Sequence, residues 1–182
     1  DYLFNSHISG LDKADKLLII GCDIRKETPV INARIRQRWL SGDLEIKTLC
    51  VPNNLNYDHE NLGNDISVLN EMKFSRMIED FFSESFYPMI IFGDTILCSK
   101  QGKKIQLAIK YLAVKTGVIK DRWNGYCYLS PNASRIGALE VGFLPENKGF
   151  SSKMVKKLLQ DNYLKMLVLI EADDFELNGL DL

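Results

Sequence analysis

The stretch Lys16-Leu-Leu-Ile-Ile-Gly21-Cys-Asp-Ile-Arg-Lys-Glu-Thr-Pro29-Val-Ile-Asn-Ala-Arg-Ile-Arg36-Gln-Arg-Trp-Leu40 decides the fold. A short apolar run ends at a glycine, a polar turn follows, and a proline opens a helical pattern carrying three arginines. An unbroken apolar run of this length reads as a strand buried on both faces, the kind found in parallel sheets. Proline suits the first turn of a helix, because its missing N–H has no intrahelical partner there. From it Ile31, Ile35 and Trp39 step by four into a stripe predicted to face the core, and Ser41-Gly42-Asp43 stops the helix. In α/β sheets ligands bind where strands end, so Gly21 to Pro29 is where function is sought first.

The same alternation continues outward. Leu17–Ile20 is the first strand. Glu45–Val51 is the second, ended by Pro52-Asn53-Asn54. Met89–Phe92 follows Pro88 as the third and ends at Gly93-Asp94-Thr95. Met166–Ile170 is the fourth and runs into Glu171-Ala172-Asp173-Asp174. Between them, Phe74, Met77, Ile78, Phe81 and Phe82 recur at helical spacing. Ile105, Ala108, Ile109 and Leu112 mark a long helix closed by Gly117.

Residues 2–12 predict a short amphipathic helix on Leu3, Phe4, Ile8 and Leu11. Tyr57 to Asp65 reads as a polar loop, with Asp65 capping a short helix through Asn70. Arg122 to Phe143 predicts an ordered aromatic loop with a short helix near Ala133–Ala138. Ser151 or Ser152 caps a helix whose inward face holds Met154, Val155, Leu158 and Leu159.

Strand–helix alternation of this kind implies an α/β fold: a mainly parallel, Rossmann-like sheet with helices on both faces and right-handed crossovers. No repeat or low-complexity linker divides the chain, so residues 1–182 read as one domain. The sheet is small, and the chain opens on Asp1 rather than methionine. The expectation is a piece of something longer, with the sheet completed by further chain.

Composition narrows the function. Hydrophobic residues make up 46% and charged residues 26%, with a net charge of -1, so bulk electrostatics do not point to nucleic acid or a membrane surface. No apolar run approaches the roughly 20 residues of a spanning helix. Cys22, Cys50, Cys98 and Cys127 form no C-x-x-C pair and read as small hydrophobes rather than a disulfide or cluster framework. His7 and His59 are the only histidines; they read as surface or loop residues, and a histidine-based metal site would need distant partners.

The common ligand motifs fail. Gly21 stands alone, without G-x-G-x-x-G. Gly93 to Gly102-Lys103-Lys104 lacks P-loop spacing and the Ser/Thr that holds magnesium, and no G-x-S-x-G elbow appears. Asp23, Asp94, Glu171, Asp173 and Asp174 fall at or just past predicted strand ends. A carboxylate and a phosphate about 4 Å apart repel by about 1 kcal/mol in bulk water and roughly 4 kcal/mol at an effective dielectric near 20. Such a rim opposes a polyphosphate unless Arg25, Lys26 or a metal ion neutralises it. Solvated turn residues are the plainer reading; a magnesium cluster is the alternative, since Mg²⁺ needs only one or two carboxylates plus water. Arg34, Arg36 and Arg38 read as a solvated helix flank, with an anion clamp as the alternative. Trp123, Tyr126 and Tyr128 read as packing residues rather than a stacking site.

Tyr2-Leu-Phe-Asn-Ser-His-Ile-Ser-Gly-Leu-Asp-Lys-Ala-Asp15, then Leu17-Leu-Ile-Ile-Gly21 and Pro29-Val-Ile-Asn-Ala-Arg-Ile-Arg36, closely resemble the large iron–sulfur subunit family of respiratory complex I (NADH:ubiquinone oxidoreductase). The resemblance is to its C-terminal, molybdopterin-oxidoreductase-like part. It continues through Tyr57-Asp58-His59 with Leu62-Gly63, Asp121-Arg-Trp-Asn-Gly125 and Gly137-Ala-Leu-Glu-Val-Gly-Phe143.

The resemblance implies a structural module of an assembly that carries electrons from NADH to ubiquinone and translocates protons. It implies no catalytic residue, metal site or cofactor in this chain, the iron–sulfur clusters lying in the part of the subunit N-terminal to it. Expected partners are the other peripheral-arm subunits and the cluster-bearing part of the same subunit, with no nucleic acid and no direct membrane insertion. The expected location is the matrix side of the mitochondrial inner membrane, or alternatively the cytoplasmic face of a bacterial plasma membrane.

Related enzymes carry a Gly-x-Asn-Pro turn that helps hold a pterin dinucleotide. Here Gly21 and Pro29 remain, while Asp23 stands for the asparagine and Ile24 for the proline, so Gly21, Asp23 and Pro29 read as a vestigial turn. Aspartate accepts only and adds negative charge, and isoleucine removes the fixed φ of proline. The competing readings are a surviving molybdenum- or tungsten-pterin oxidoreductase domain and an independent magnesium-binding α/β domain.

Overall fold

The computed structural model describes residues 2–132, 134–143 and 149–169. Contacts divide the chain into two compact units, Asp1–Ile136 and Gly137–Leu182.

The first unit is built on β1 (Lys16–Ile20), which continues through a one-turn helix α1 (Ile24–Glu27) into α2 (Pro29–Leu40). β2 (Glu45–Leu49) and a two-residue β3 (Glu60–Asn61) follow, then α3 (Met72–Phe82), β4 (Pro88–Gly93) and α4 (Gly102–Lys115). A hairpin of β5 (Ile119–Lys120) and β6 (Trp123–Asn124) leads into β7 (Tyr126–Leu129). The five-stranded sheet has the order β3-β2-β1-β4-β7 and every pair in it is parallel. The α/β reading with a mainly parallel sheet is what the chain forms.

Alternation along β1 places the helices. Leu17 and Ile19 pack with Ile24, Ile35 and Leu11 on one face, while Leu18 and Ile20 pack with Phe74, Ile78, Ile105 and Ile109 on the other. Both faces are therefore covered, as an apolar parallel strand requires. In α2, Ile35 is fully buried but Trp39 is only half-buried, and the polar Asn32 lies buried on the same side. The second strand is shorter than its apolar pattern predicts: Cys50, at φ 54°, leaves the extended region and ends it after Leu49. Asp65 does cap a short 3₁₀ helix (Ile66–Asn70), its carboxylate accepting from Ser67 N–H at 2.8 Å.

Several other readings are corrected. Residues 2–12 are not one amphipathic helix. Phe4 bridges Cys127 antiparallel, Tyr128 N–H donates to the Leu3 carbonyl at 3.0 Å, and only Ile8–Asp12 is helical, as 3₁₀. The outer edge of β7 offers backbone groups that must be paired, and the N-terminal segment pairs them.

For the same reason Arg122 to Phe143 is more than an aromatic loop, since Tyr126–Leu129 is a strand with all four residues buried. The helix there is α5 (Arg135–Glu140), two residues later than the pattern suggested. Met166–Leu169 forms no strand, and Met166 and Val168 are exposed; Ile170 lies outside the described residues. The ladder position beside β4 belongs to β7 instead.

In the second unit, Ser151 caps α6 (Ser152–Gln160), accepting from Met154 N–H at 3.4 Å. Met154 is exposed, and Val155, Leu158 and Leu159 are half-buried, so this face is not a core face. A nine-residue helix needs a second layer to bury one side fully.

Candidate functional site

The sheet order turns at β1: β2 and β3 lie to one side of it, β4 and β7 to the other. The crevice outside the carboxyl ends of β1 and β4 is the switch point where α/β folds bind ligands. Gly21 occupies it with φ +58°, a backbone region that side chains disfavour, and its N–H donates to the Leu49 carbonyl at 2.9 Å. A Cβ on Gly21 would lie 2.1 Å from Ile96 Cγ2, and one on Gly93 would lie 2.5 Å from Cys22 Cβ. The segments leaving the two strands thus press directly on one another. Ile96, from the loop after β4, covers the glycine where a ligand would approach.

The polar groups of the turn are spent internally. Asp23 is the N-cap of α1: its carboxylate accepts from Lys26 N–H at 3.3 Å, and the Lys26 ammonium lies 3.6 Å from its other oxygen. The Asp23 N–H donates in turn to Glu27 Oε1 at 2.7 Å, a reciprocal arrangement akin to a capping box. Cys22 is buried, and that burial, with Glu27 and Asp23 adding to it, pushes its thiol far above the ordinary range. A buried thiol held in its neutral form is a weak nucleophile. Ile24 is fully buried in the core below the turn. Pro29 opens α2, as its position in the sequence predicts. The turn holds β1 to α2, and its residues do not fit an anionic dinucleotide.

Most of the other candidates are likewise engaged. Arg25 donates to the Asn54 carbonyl at 2.7 Å. Arg34 pairs with Asp12 at 3.4 Å and Arg38 with Asp43 at 3.8 Å, while Arg36 is exposed. Arg34 and Arg38 are held by different partners. His59 lies between the Tyr57 carbonyl and Asn53 Oδ1, each at 3.0 Å, and His7 is exposed.

Asp94, past the end of β4, accepts from the Tyr128 hydroxyl at 2.5 Å and the Cys98 thiol at 3.2 Å, with Arg135 at 3.8 Å. Burial, reinforced by Asp94, pushes the Tyr128 hydroxyl up to about 12. Tyr126 and Tyr128 flank Phe92, with ring centroids 4.8 and 5.6 Å away, and Trp123 meets Tyr87 edge-on at 5.0 Å. These aromatics pack. Among the described residues no three His, Cys, Asp or Glu side chains are placed to hold a metal. Glu171, Asp173 and Asp174 lie outside the described residues.

Two polar groups escaped the sequence reading. Asn32 Oδ1 accepts from the Tyr57 hydroxyl at 3.0 Å, and both residues are buried. An asparagine between Ile31 and Ile35 was a signal, because a buried amide needs a partner. Asp15, just before β1, accepts from the Ser85 hydroxyl, from Phe86 N–H at 2.6 Å and from Tyr87 N–H at 3.1 Å. Burial raises its pKa, but the hydrogen bonds outweigh that and hold the carboxyl below its ordinary value. Nothing local in the sequence marks it.

Comparison with known proteins supplies the context. The family model described as molybdopterin oxidoreductase matches residues 1–177. The chain is 34% identical over 170 residues to the NADH-ubiquinone oxidoreductase 75 kDa subunit of Reclinomonas americana, covering 92% of this chain and 24% of that protein. It is 35% identical over 144 residues to the G subunit of the NADH-quinone oxidoreductase of Rickettsia typhi, covering 79% of this chain and 21% of that one. To the corresponding protein of Rickettsia bellii it is 35% identical over 147 residues, with the same two coverages of 79% and 21%. The chain therefore spans about a quarter of the length of the curated relatives it matches.

Proposed function

This chain belongs to the molybdopterin oxidoreductase family, and we propose that it is a non-catalytic structural segment of the large iron–sulfur subunit of an NADH–quinone oxidoreductase. The observation that carries this reading is Ile96 seated on Gly21 at the switch point. With Asp23 committed to capping α1 and Ile24 to the core, the turn does not fit the pterin dinucleotide that the family name implies. Electron transfer then belongs to the assembly. The iron–sulfur clusters belong to another part of the subunit, and this chain contributes shape and contact surface to the peripheral arm. Its partners are the neighbouring subunits of that arm. Its place is the matrix side of the mitochondrial inner membrane, in keeping with the absence, among the described residues, of any helix long and apolar enough to cross a membrane.

Elemental analysis of the purified native assembly tests the reading. The expected result is that the chain co-purifies with NADH dehydrogenase activity and with a polypeptide carrying cluster cysteines, without stoichiometric molybdenum or tungsten. Either metal at one atom per complex would overturn the non-catalytic reading. Migration as a free monomer, away from NADH dehydrogenase activity, would overturn the assignment to the complex.

A further inference from the structure

α4 has two apolar stripes, and only one of them faces the core. Ile105, Ile109, Leu112 and Ala113 are buried against the sheet. Leu107, Tyr111 and Val114, spaced i, i+4 and i+7, point outward and are 58%, 65% and 58% exposed. Single exposed apolar side chains need no explanation, but three on successive turns of one helix form a patch. Tyr111 also lines a groove of about 520 Å³ between α3 and α4, together with Met72, which is 74% exposed.

The charge on α4 itself has one sign, and basic groups outnumber the acidic Glu71 and Glu79 around the groove. α4 carries Lys103, Lys104, Lys110 and Lys115 and no carboxylate. Arg76 of α3 lines the same groove as Lys104 and Lys115. Lys115 is tied to Glu79 and lies 6.0 Å from the Tyr111 ring centre, so that ring is braced. Lys103 and Lys104 sit in the first turn of the helix, where the aligned peptide dipoles disfavour cations. Among the described residues no ion pair holds either of them. Two lysines placed against the local preference of their helix thus stand beside an exposed apolar ridge.

We infer that the outer face of α4 and the α3–α4 groove dock an acidic amphipathic helix of a neighbouring protein subunit. Its apolar ridge lies in the groove against Met72 and along Leu107, Tyr111 and Val114, with Tyr111 as the central aromatic anchor. Its flanking carboxylates face Lys103 and Lys104, where the lysines and the helix N-terminus attract negative charge together. A concave groove between two helices matches a ridge of side chains better than it matches a flat lipid surface. None of these residues belongs to the turn after β1, so the docking surface does not depend on whether that turn binds anything.

Carbodiimide cross-linking of the native NADH–quinone oxidoreductase tests the inference, because the reagent joins lysine amines only to carboxylates in contact with them. The expected products join Lys103 or Lys104 to Asp or Glu of an amphipathic segment in another subunit. Lys103→Glu with Lys104→Glu should abolish those products and release that subunit. This variant improves the fit of α4 to its own dipole, so partner loss cannot be put down to unfolding. Leu107→Asp with Tyr111→Ser should release the same subunit while leaving the cross-linkable lysines in place.

Cross-links to a second copy of this chain would overturn the proposal, as would binding of the purified chain to phosphatidylserine vesicles that the lysine variant abolishes. Acetylation of Lys103 and Lys104 in the assembly at the rate of open lysines, with subunit content unchanged in both variants, would also overturn it. The inference rests on the subunit reading only for the assembly that is purified. Absence of the chain from that assembly refutes the subunit reading, whereas its presence with freely labelled lysines refutes the docking surface alone.

Discussion

β1 is flanked by two aspartates that do similar work at opposite ends. At its carboxyl end Asp23 lies in the turn where α/β folds place ligands, and its carboxylate caps α1 by accepting from the N–H three residues on. At its amino end Asp15 gathers a hydroxyl and two backbone N–H groups from Ser85, Phe86 and Tyr87, some seventy residues away in the chain. The first is a local cap, partly exposed and paired with Lys26; the second clamps the entry to β4 onto the entry to β1. The end that should bind is thus the less demanding of the two. The turn's carboxylate bonds are local ones, whereas an unmarked residue at the other end ties together segments far apart in the chain.

The comparison is broken most severely by closing what space remains at the carboxyl end. Gly21→Ala places a Cβ in the left-handed region, costing roughly 1–2 kcal/mol. It also drives that Cβ into Ile96, and overpacking of this kind adds about 1–3 kcal/mol. Urea unfolding of the purified protein should show a combined loss of about 3 kcal/mol. A loss below about 1 kcal/mol would mean that Ile96 moves freely and the crevice is open after all.

Asp15→Ala comes next. Removing an acceptor shared by three donors should destabilise by about 2 kcal/mol, since hydrogen bonds to a charged group are among the stronger ones. The pH dependence carries a definite sign. The folded carboxyl has a lowered pKa, so its contribution is present above the unfolded value, near pH 4, and is lost as pH falls through the folded value. The stability gap between the wild type and Asp15→Asn should therefore narrow on acidification below about pH 4. A gap that stays constant to pH 2 would show that Asp15 acts by packing rather than by charge.

What was legible in the sequence follows the same division between local and distant. β1, α2 and α3 announced themselves through unbroken or periodic apolar runs, and Gly21, Asp23 and Pro29 through turn chemistry within one short stretch. β7 did not, because four residues after a glycine carry no period, and its strand character comes from pairing with β4 more than thirty residues earlier. The pairing of the N-terminal segment with β7, the Asn32–Tyr57 bond and the Asp15 clamp are hidden for the same reason. Ile96 sits in a loop with no pattern at all, yet it decides how the switch point is filled.

Asp23→Asn is the smallest change and the sharpest test of the comparison. Asparagine caps helices about as well as aspartate, so stability should shift by less than about 0.5 kcal/mol, the loss of the Lys26 contact included. The substitution also gives the turn the asparagine that the family resemblance leads one to expect, and it removes a negative charge from the crevice. If the turn were a ligand site held back only by electrostatics, this variant would acquire a pterin or nucleotide, or would change the NADH oxidation rate of the proposed assembly. The expected outcome is neither, because Ile96 still covers Gly21 and Ile24 is still in the core. A changed rate in a fully assembled complex would place function back in the turn. An unchanged rate, beside a clear stability loss in Asp15→Ala, would leave both aspartates with structural tasks and Asp15 with the larger one.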